Sequence, residues 1–322
     1  GDVYKRQFMD LTRRALEGSS QRPDLIVWPE TMLPSIGFEP DSMRTLNGFG
    51  DAFAHLLRWP REIEALSRQL GIPLLVGTEA WLGTSSVPTD DGRIRLTREY
   101  EYNSAYLIQG QPPYQRYDKV VLTPFGERMP LISNWEWLER KLLALGAPGM
   151  SFNLDQAEEP YLLTLRKDES TIALATPICF EDTVSWLCRT MAYQEGKKRI
   201  DLFVSMSNDG WFGWSEADRR QHVQMARWRC IENRVPMVRS VNTGLSVHLD
   251  SCGRIVGAVG SGRFGNAGLE GCLEASVNLD RRVTVFDRGG WLWPWLVLIV
   301  CVALLAVASF PKSKDQTHEA AK

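Results

Sequence analysis

Three residue types in this chain could together carry acyl transfer: a cysteine, a lysine and a glutamate, each tied to an apolar run. Cys179 stands in Ala175-Thr-Pro-Ile-Cys-Phe-Glu-Asp182, after the run Thr171–Ile178 and before a stretch, Asp182 to Ala192, that reads as a helix. A cysteine at a strand-to-helix junction lies near the positive end of the helix dipole, which favours the nucleophilic thiolate. The competing reading is a buried core cysteine, the commoner fate of a lone Cys. Glu30 ends the short apolar run Asp24-Leu-Ile-Val-Trp-Pro29, at the strand edge where α/β proteins place chemistry. Its plain alternative is a solvated loop glutamate. Lys119 sits in Gln115-Arg-Tyr-Asp-Lys-Val-Val-Leu122, where it either snorkels or is held against a carboxylate.

Acyl transfer through a thioester needs these three roles. A glutamate takes the thiol proton as general base. A lysine held positive stabilises the tetrahedral oxyanion. The cysteine forms the covalent intermediate and splits one hard step into two. A fourth feature, Asn208-Asp-Gly-Trp-Phe-Gly213, follows the next strand. The histidines (His55, His222, His248, His318) lie away from these motifs along the chain, so a Cys-His pairing is the weaker expectation.

The elements that must position these residues alternate between strand and helix, which argues an α/β fold. Helical stretches are expected over 8–17, 61–70, 182–192 and 217–233. Strands are expected over 24–29, 72–77, 102–109, 115–122, 160–165, 171–178, 201–207, 236–242 and 245–250. Residues 87–98 read as a hairpin excursion, and Thr31 to Pro60 as a loop. The stretches 31–49 and 129–138 are more apolar than solvated loops need, as lids over a greasy substrate would be.

With 322 residues, 44% hydrophobic and 24% charged, the chain can build a large core. A net charge of -2 gives no reason to expect nucleic acid as partner. The six cysteines and four histidines show no metal-ligand spacing, so neither metal nor cofactor is expected. Trp291 to Phe310 is 20 residues without a charge, which as a helix spans about 30 Å, one bilayer core. Trp291, Trp293 and Trp295 suit an interfacial belt, and Lys312 and Lys314 close the far end. A transmembrane helix is therefore expected at 291–310, with a catalytic domain at 8–288 before it and a polar tail at 311–322. Flanking Lys and Arg balance, so charge alone does not orient the span.

The set Glu30, Lys119 and Cys179 resembles the nitrilase superfamily, whose triad is Glu-Lys-Cys. Trp28-Pro-Glu30-Thr31, Tyr117-Asp-Lys119-Val-Val-Leu-Thr-Pro-Phe-Gly-Glu127, Pro177-Ile-Cys179-Phe-Glu181, Ser207-Asn-Asp-Gly-Trp-Phe-Gly213 and Arg239-Ser-Val-Asn-Thr-Gly244 are similar to its apolipoprotein N-acyltransferase branch. The resemblance covers about residues 8 to 285. It implies a four-layer α-β-β-α sandwich followed by one transmembrane helix. It makes Glu30 the general base, Lys119 the oxyanion stabiliser and Cys179 the nucleophile, with Glu127 and Glu181 as supporting acids. A phospholipid would donate its acyl chain to Cys179, and the α-amino group of a diacylglyceryl-modified apolipoprotein would receive it. The catalytic domain would face the periplasm from the bacterial inner membrane.

A glutamate beside Cys179 is electrostatically costly, so Lys119 or a backbone donor should offset Glu181. Cys188, Cys230, Cys252 and Cys272 are expected to be mostly buried and unpaired. Phe180 stands where several relatives have tyrosine. The helix already under way at Phe8, and the lack of the family's preceding membrane helices and first strand, suggest a chain that begins inside a domain, with residues 1–7 not native. Two other readings share the motifs: a membrane-tethered nitrilase-type amidohydrolase, and an inactive nitrilase-like scaffold.

Overall fold

The computed structural model describes residues 2–30, 36–89, 94–124, 126–128 and 154–309. In chain order its first half runs α1 (Asp2–Gly18), β1 (Ile26–Val27), α2 (Pro40–Asn47), α3 (Ala54–Leu70), β2 (Leu74–Leu82), β3 (Ser85–Pro88), β4 (Ile94–Thr97), β5 (Tyr100–Ile108) and β6 (Gln115–Asp118). The second half runs β7 (Leu163–Lys167), β8 (Ser170–Ala175), α4 (Ser185–Ala192), β9 (Tyr193–Gln194), β10 (Lys197–Lys198), β11 (Leu202–Asn208), α5 (Glu216–Asn233), β12 (Met237–Asn242), β13 (Val247–Leu249), β14 (Ile255–Ala258), α6 (Val285–Gly289) and α7 (Trp293–Ser309).

Two sheets carry the site. The first has the order β1-β2-β5-β6 and the second β14-β13-β12-β11-β8-β7. Strand alternation sorts the first sheet's side chains onto two faces. Leu74, Val76, Tyr106 and Ile108 pack with Trp59, Ile63 and Leu66 of α3 and with Phe8 and Met9 of α1. Leu75, Ala105, Leu107 and Tyr117 point the other way. They join Leu174, Val204 and Met206 of the second sheet, Leu187 and Met191 of α4, and Val223 and Ala226 of α5. Sheets stack inside and helices cover both outer faces, which is the expected α-β-β-α order.

Several boundaries differ from expectation. The segment read as loop up to Pro60 contains α2 and the start of α3, with Pro60 buried inside the helix. Burial of Leu57, Trp59, Ile63 and Leu66 along one face outweighs the hydrogen bond lost at Pro60. The residue after Cys179 does not open a long helix. Cys179–Thr183 is a single 3-10 turn, and α4 begins only at Ser185.

None of the residues of α7 is buried. Among the described residues no helix is long and apolar enough to cross a membrane; α7 has 17 residues and ends at Ser309. Residues 310–322, the whole apolar stretch 129–138 and residues 31–35 of the other one lie outside the described residues, as does Phe125. All six cysteines are free: Cys188 and Cys230 are buried, whereas Cys252 is half-buried and Cys272 is exposed, against expectation.

Candidate active site

The chemistry-bearing residues sit where strands end. Glu30 lies three residues past β1, Lys119 follows β6, Cys179 follows β8, and Asn208 closes β11. β8, β11 and β12 run parallel, so their ends share one edge. Glu30 reaches that edge because its backbone passes against Gly77 of β2. A Cβ on Gly77 would lie 2.5 Å from the Pro29 carbonyl oxygen and 2.7 Å from the Glu30 Cα, so any larger residue would push Glu30 out of place.

Lys119 is fully buried between two carboxylates. Its Nζ lies 2.7 Å from Glu127 Oε2 and 3.6 Å from Glu30 Oε1. Asn103 of β5 stands between the same two acids, its Nδ2 donating to Glu30 Oε1 at 2.7 Å and to Glu127 Oε1 at 2.9 Å. The Asn208 N–H holds the other Glu30 oxygen at 2.8 Å. The Thr123 N–H holds Glu127 at 2.8 Å.

This geometry separates the two acids. Burial raises Glu30 above the usual carboxylate range, and the Lys119 charge only partly opposes it. Burial pushes Glu127 the same way, but the closer Lys119 and its hydrogen bonds win, and Glu127 is lowered. Burial alone would lower Lys119, yet Glu30, Cys179 and Glu127 raise it, so it stays an ammonium. Glu127 therefore holds the fixed negative charge, and Glu30 is the acid poised to exchange a proton. Environments that push two carboxylates apart in this way mark acid and base roles.

Cys179 is half-buried and has φ +52°, a left-handed conformation unusual for a side-chain-bearing residue. Burial pushes its thiol up to about 12, with Glu30 adding to that and Lys119 and a hydrogen bond with Ser207 opposing it. The expected dipole-stabilised thiolate is thus not the resting form. No α-helix starts at Cys179, and of the charges acting on the thiol Glu30 outweighs Lys119. The thiol needs a base, and Glu30 is close enough to act electrostatically on it.

Glu181 is not in the reacting group. Its Oε1 accepts from the Val120 N–H at 2.7 Å and the Val121 N–H at 2.8 Å. Its Oε2 accepts from the Ile178 N–H at 2.8 Å and the Tyr117 hydroxyl at 2.7 Å. Burial pushes Glu181 up to about 7 against these donors. The backbone donors expected to offset its charge are present, and the residue clamps the lysine segment to the cysteine turn.

Behind that turn lies a buried group that sequence reading missed. His222 of α5 sits with its Nε2 2.9 Å from Asp182 Oδ1 and its Nδ1 3.1 Å from Asp209 Oδ1. Arg239 Nε donates to Asp182 Oδ2 at 3.0 Å. Histidine is distant from the motifs along the chain but adjacent in space, because α5 packs back over the strand ends. Asp182, Asp209 and Arg239 each stood within a noted motif; His222 carried no sequence signal. Asn103 was likewise an unremarkable polar position in a strand, and Tyr117 stood only at the head of the lysine motif, with no role assigned to it.

Residues 5–269 match the carbon-nitrogen hydrolase family. The chain belongs to that family. Among curated members, an apolipoprotein N-acyltransferase of Chlorobaculum tepidum is 28% identical over 305 residues, covering 94% of this chain and 52% of that protein. One of Rhodopseudomonas palustris is 32% identical over 271 residues, covering 78% and 45%. The chain spans about half the length of the curated relatives it matches. Among solved structures, a mutant amidase of the nitrilase superfamily from Nesterenkonia AN1 aligns at TM-score 0.50 and 15% identity, covering 80% of each chain. A carbon-nitrogen hydrolase of Helicobacter pylori G27 aligns at TM-score 0.50 and 12% identity, again over 80% of each. These place this carbon-nitrogen hydrolase chain in the nitrilase α/β fold.

Proposed function

We propose that this chain is the catalytic part of an apolipoprotein N-acyltransferase, moving an acyl chain from a phospholipid through a Cys179 thioester to the α-amino group of a lipid-modified N-terminal cysteine. The observation that carries the reading is the contact of buried Lys119 with two differently tuned acids, Glu30 and Glu127, beside a cysteine on a strained turn. The likeness to curated N-acyltransferases supports the substrate class.

In the first half-reaction Glu30 takes the Cys179 proton, and the sulfur attacks the ester carbonyl of the donor. Lys119 balances the charge developing on the carbonyl oxygen. The intermediate collapses as Glu30 passes its proton to the departing glycerol oxygen, leaving lysolipid and thioester. In the second half-reaction the acceptor amine attacks the thioester. Glu30 takes the amine proton and returns it to the sulfur as the amide forms. Glu127 keeps Lys119 charged and in place throughout.

The same reading makes the apolar helix α7 part of a membrane anchor extending to residue 310, with residues 8–288 as the catalytic domain and 311–322 as a tail. The catalytic domain would then lie on the periplasmic face of the bacterial inner membrane. Exposed Trp293 and Trp295 at its start, and exposed Trp211 and Trp214 beyond β11, fit an interfacial setting.

The test is intact mass spectrometry after incubation with phosphatidylethanolamine, using the chain joined to the part of its relatives that it does not span. The expected result is an acyl-sized gain, released by hydroxylamine and absent in Cys179→Ala. Turnover of a small amide with no adduct from any phospholipid would favour a hydrolase, and the absence of both adduct and hydrolysis would leave the scaffold reading.

A further inference from the structure

The catalytic scheme above uses Glu30, Lys119 and Cys179 but leaves a buried charged group unexplained. His222, Asp182, Asp209 and Arg239 are all buried, and each touches at least one other. Unpaired buried charge is costly, so such a group persists only when its charges compensate. Two carboxylates face one guanidinium and one imidazole. The charges balance when the imidazole carries its second proton.

The contacts agree. Both ring nitrogens of His222 face a carboxylate oxygen, so each has reason to hold a hydrogen. The Nε2–Asp182 contact is short but out of line, an ion pair rather than an aligned hydrogen bond. Arg239 Nη2 lies 3.2 Å from the same Nδ1 and donates there only if that nitrogen is unprotonated; the Asp209 oxygen, closer at 3.1 Å, favours the proton instead. The Phe212 ring meets the imidazole edge-on, with centroids 5.7 Å apart. Burial would lower the titration of His222, but Asp182 and Asp209 outweigh it and push it up to about 9.

What these partners belong to gives the group its meaning. Asp182 lies in the turn Cys179–Thr183 that presents the nucleophile. Asp209 follows Asn208, whose N–H holds Glu30 at 2.8 Å. Ser207, whose hydroxyl acts on the Cys179 thiol and opposes its upward shift, donates to Asp209 Oδ1 at 2.8 Å. We propose that His222 is a positioning residue: as an imidazolium it braces the nucleophile turn, through Asp182, against the turn that holds the general base, through Asp209. It touches neither substrate nor sulfur. Its work is to keep Glu30 and Cys179 in register across two sheets.

The proposal rests on the Glu30–Cys179 roles assigned above, so its test reads the cysteine directly. In the full-length protein, His222→Gln keeps size and one hydrogen bond but loses the charge. The rate at which iodoacetamide alkylates Cys179 is measured per folded molecule, alongside kcat and KM for acyl transfer and the melting temperature. The expected result is a fall of about 10- to 100-fold in alkylation rate and kcat, the scale for a small misplacement of reacting groups, with KM little changed. Wild-type kcat should fall above about pH 9 as the imidazolium is lost, and this alkaline limb should be absent in the variant. An unchanged rate per folded molecule overturns the proposal. A slowed alkylation in a protein that forms no thioester supports the brace and removes the acyl-transfer reading. Should His222→Gln not fold, ring-labelled histidine NMR of the wild type decides, with signals assigned by substituting His55, His248 and His318. A His222 ring still charged at pH 8 supports the proposal, and a neutral ring at pH 7 overturns it.

Discussion

The Glu181 carboxylate accepts a hydrogen bond from the Val120 N–H at 2.7 Å, so the residue two places after Cys179 holds the residue next to Lys119. This bond joins two segments that are distant in sequence and belong to different sheets. It explains why an acid tolerates a position beside Cys179: its charge is spent on backbone donors, not on the thiol.

Replacing Glu181 should therefore damage the frame before the chemistry. Glu181→Ala leaves three N–H groups and the Tyr117 hydroxyl without their acceptor. At about 1–3 kcal/mol for each buried donor left unpaired, the loss takes a large part of a domain's stability. Thermal unfolding should show a much lower midpoint, or the protein should be recovered only as aggregate. A midpoint equal to wild type would contradict the clamp.

Lys119→Met should separate charge from packing. Without the ammonium, Glu30 and Glu127 flank Asn103 without the charge that separates them, and one of the two takes up a proton. Thioester formation should slow by about 10²- to 10³-fold, the scale for removing one oxyanion stabiliser. Single-turnover mass spectrometry checks this, and a rate near wild type would remove Lys119 from the mechanism.

The proposed mechanism assigns the acid limb of activity to Glu30. Its titration is raised by burial, so the base is lost by protonation at a pH above the ordinary carboxylate range. Asn103 hydrogen-bonds the charged form and lowers that value. Asn103→Ala should therefore move the acid limb of kcat/KM to higher pH. A limb that stays in place or moves down would show that another group controls it.

The positive φ of Cys179 is a strain that glycine would not feel. Of two inactive variants, Cys179→Gly should melt higher than Cys179→Ala, by the equivalent of about 1 kcal/mol. Equal midpoints would mean that the turn relaxes when the thiol is removed.

Stability should also report the buried histidine. A folded-state value raised from 6.5 to about 9 contributes stability that is complete below pH 6.5 and is lost as pH rises through about 9. Urea unfolding of the wild type should show a decline between pH 7 and 10 that is smaller in His222→Gln.

Much was legible along the chain because it is written in local pattern. Strand-length apolar runs, the turns after them and the motifs around Glu30, Lys119 and Cys179 all follow from neighbours in sequence, and each lands at a strand end. The apolar stretch from Trp291 was equally plain, and 17 residues of it, Trp293–Ser309, are described as helix. What the sequence could not determine was pairing across the fold. Glu30 and Glu127 are both isolated acids after apolar segments; their different distances to Lys119 and their different burial raise the titration of one and lower that of the other. Cys179 looked like a dipole-activated thiolate because helix onset is a cooperative, tertiary outcome. The chain instead makes one tight turn there, and burial keeps the proton on sulfur. His222 was invisible because nothing beside it in sequence is acidic or catalytic. It gains its partners only when α5 packs over the ends of β8 and β11, and electrostatics in a buried site depend on distances in space that spacing in the chain does not encode.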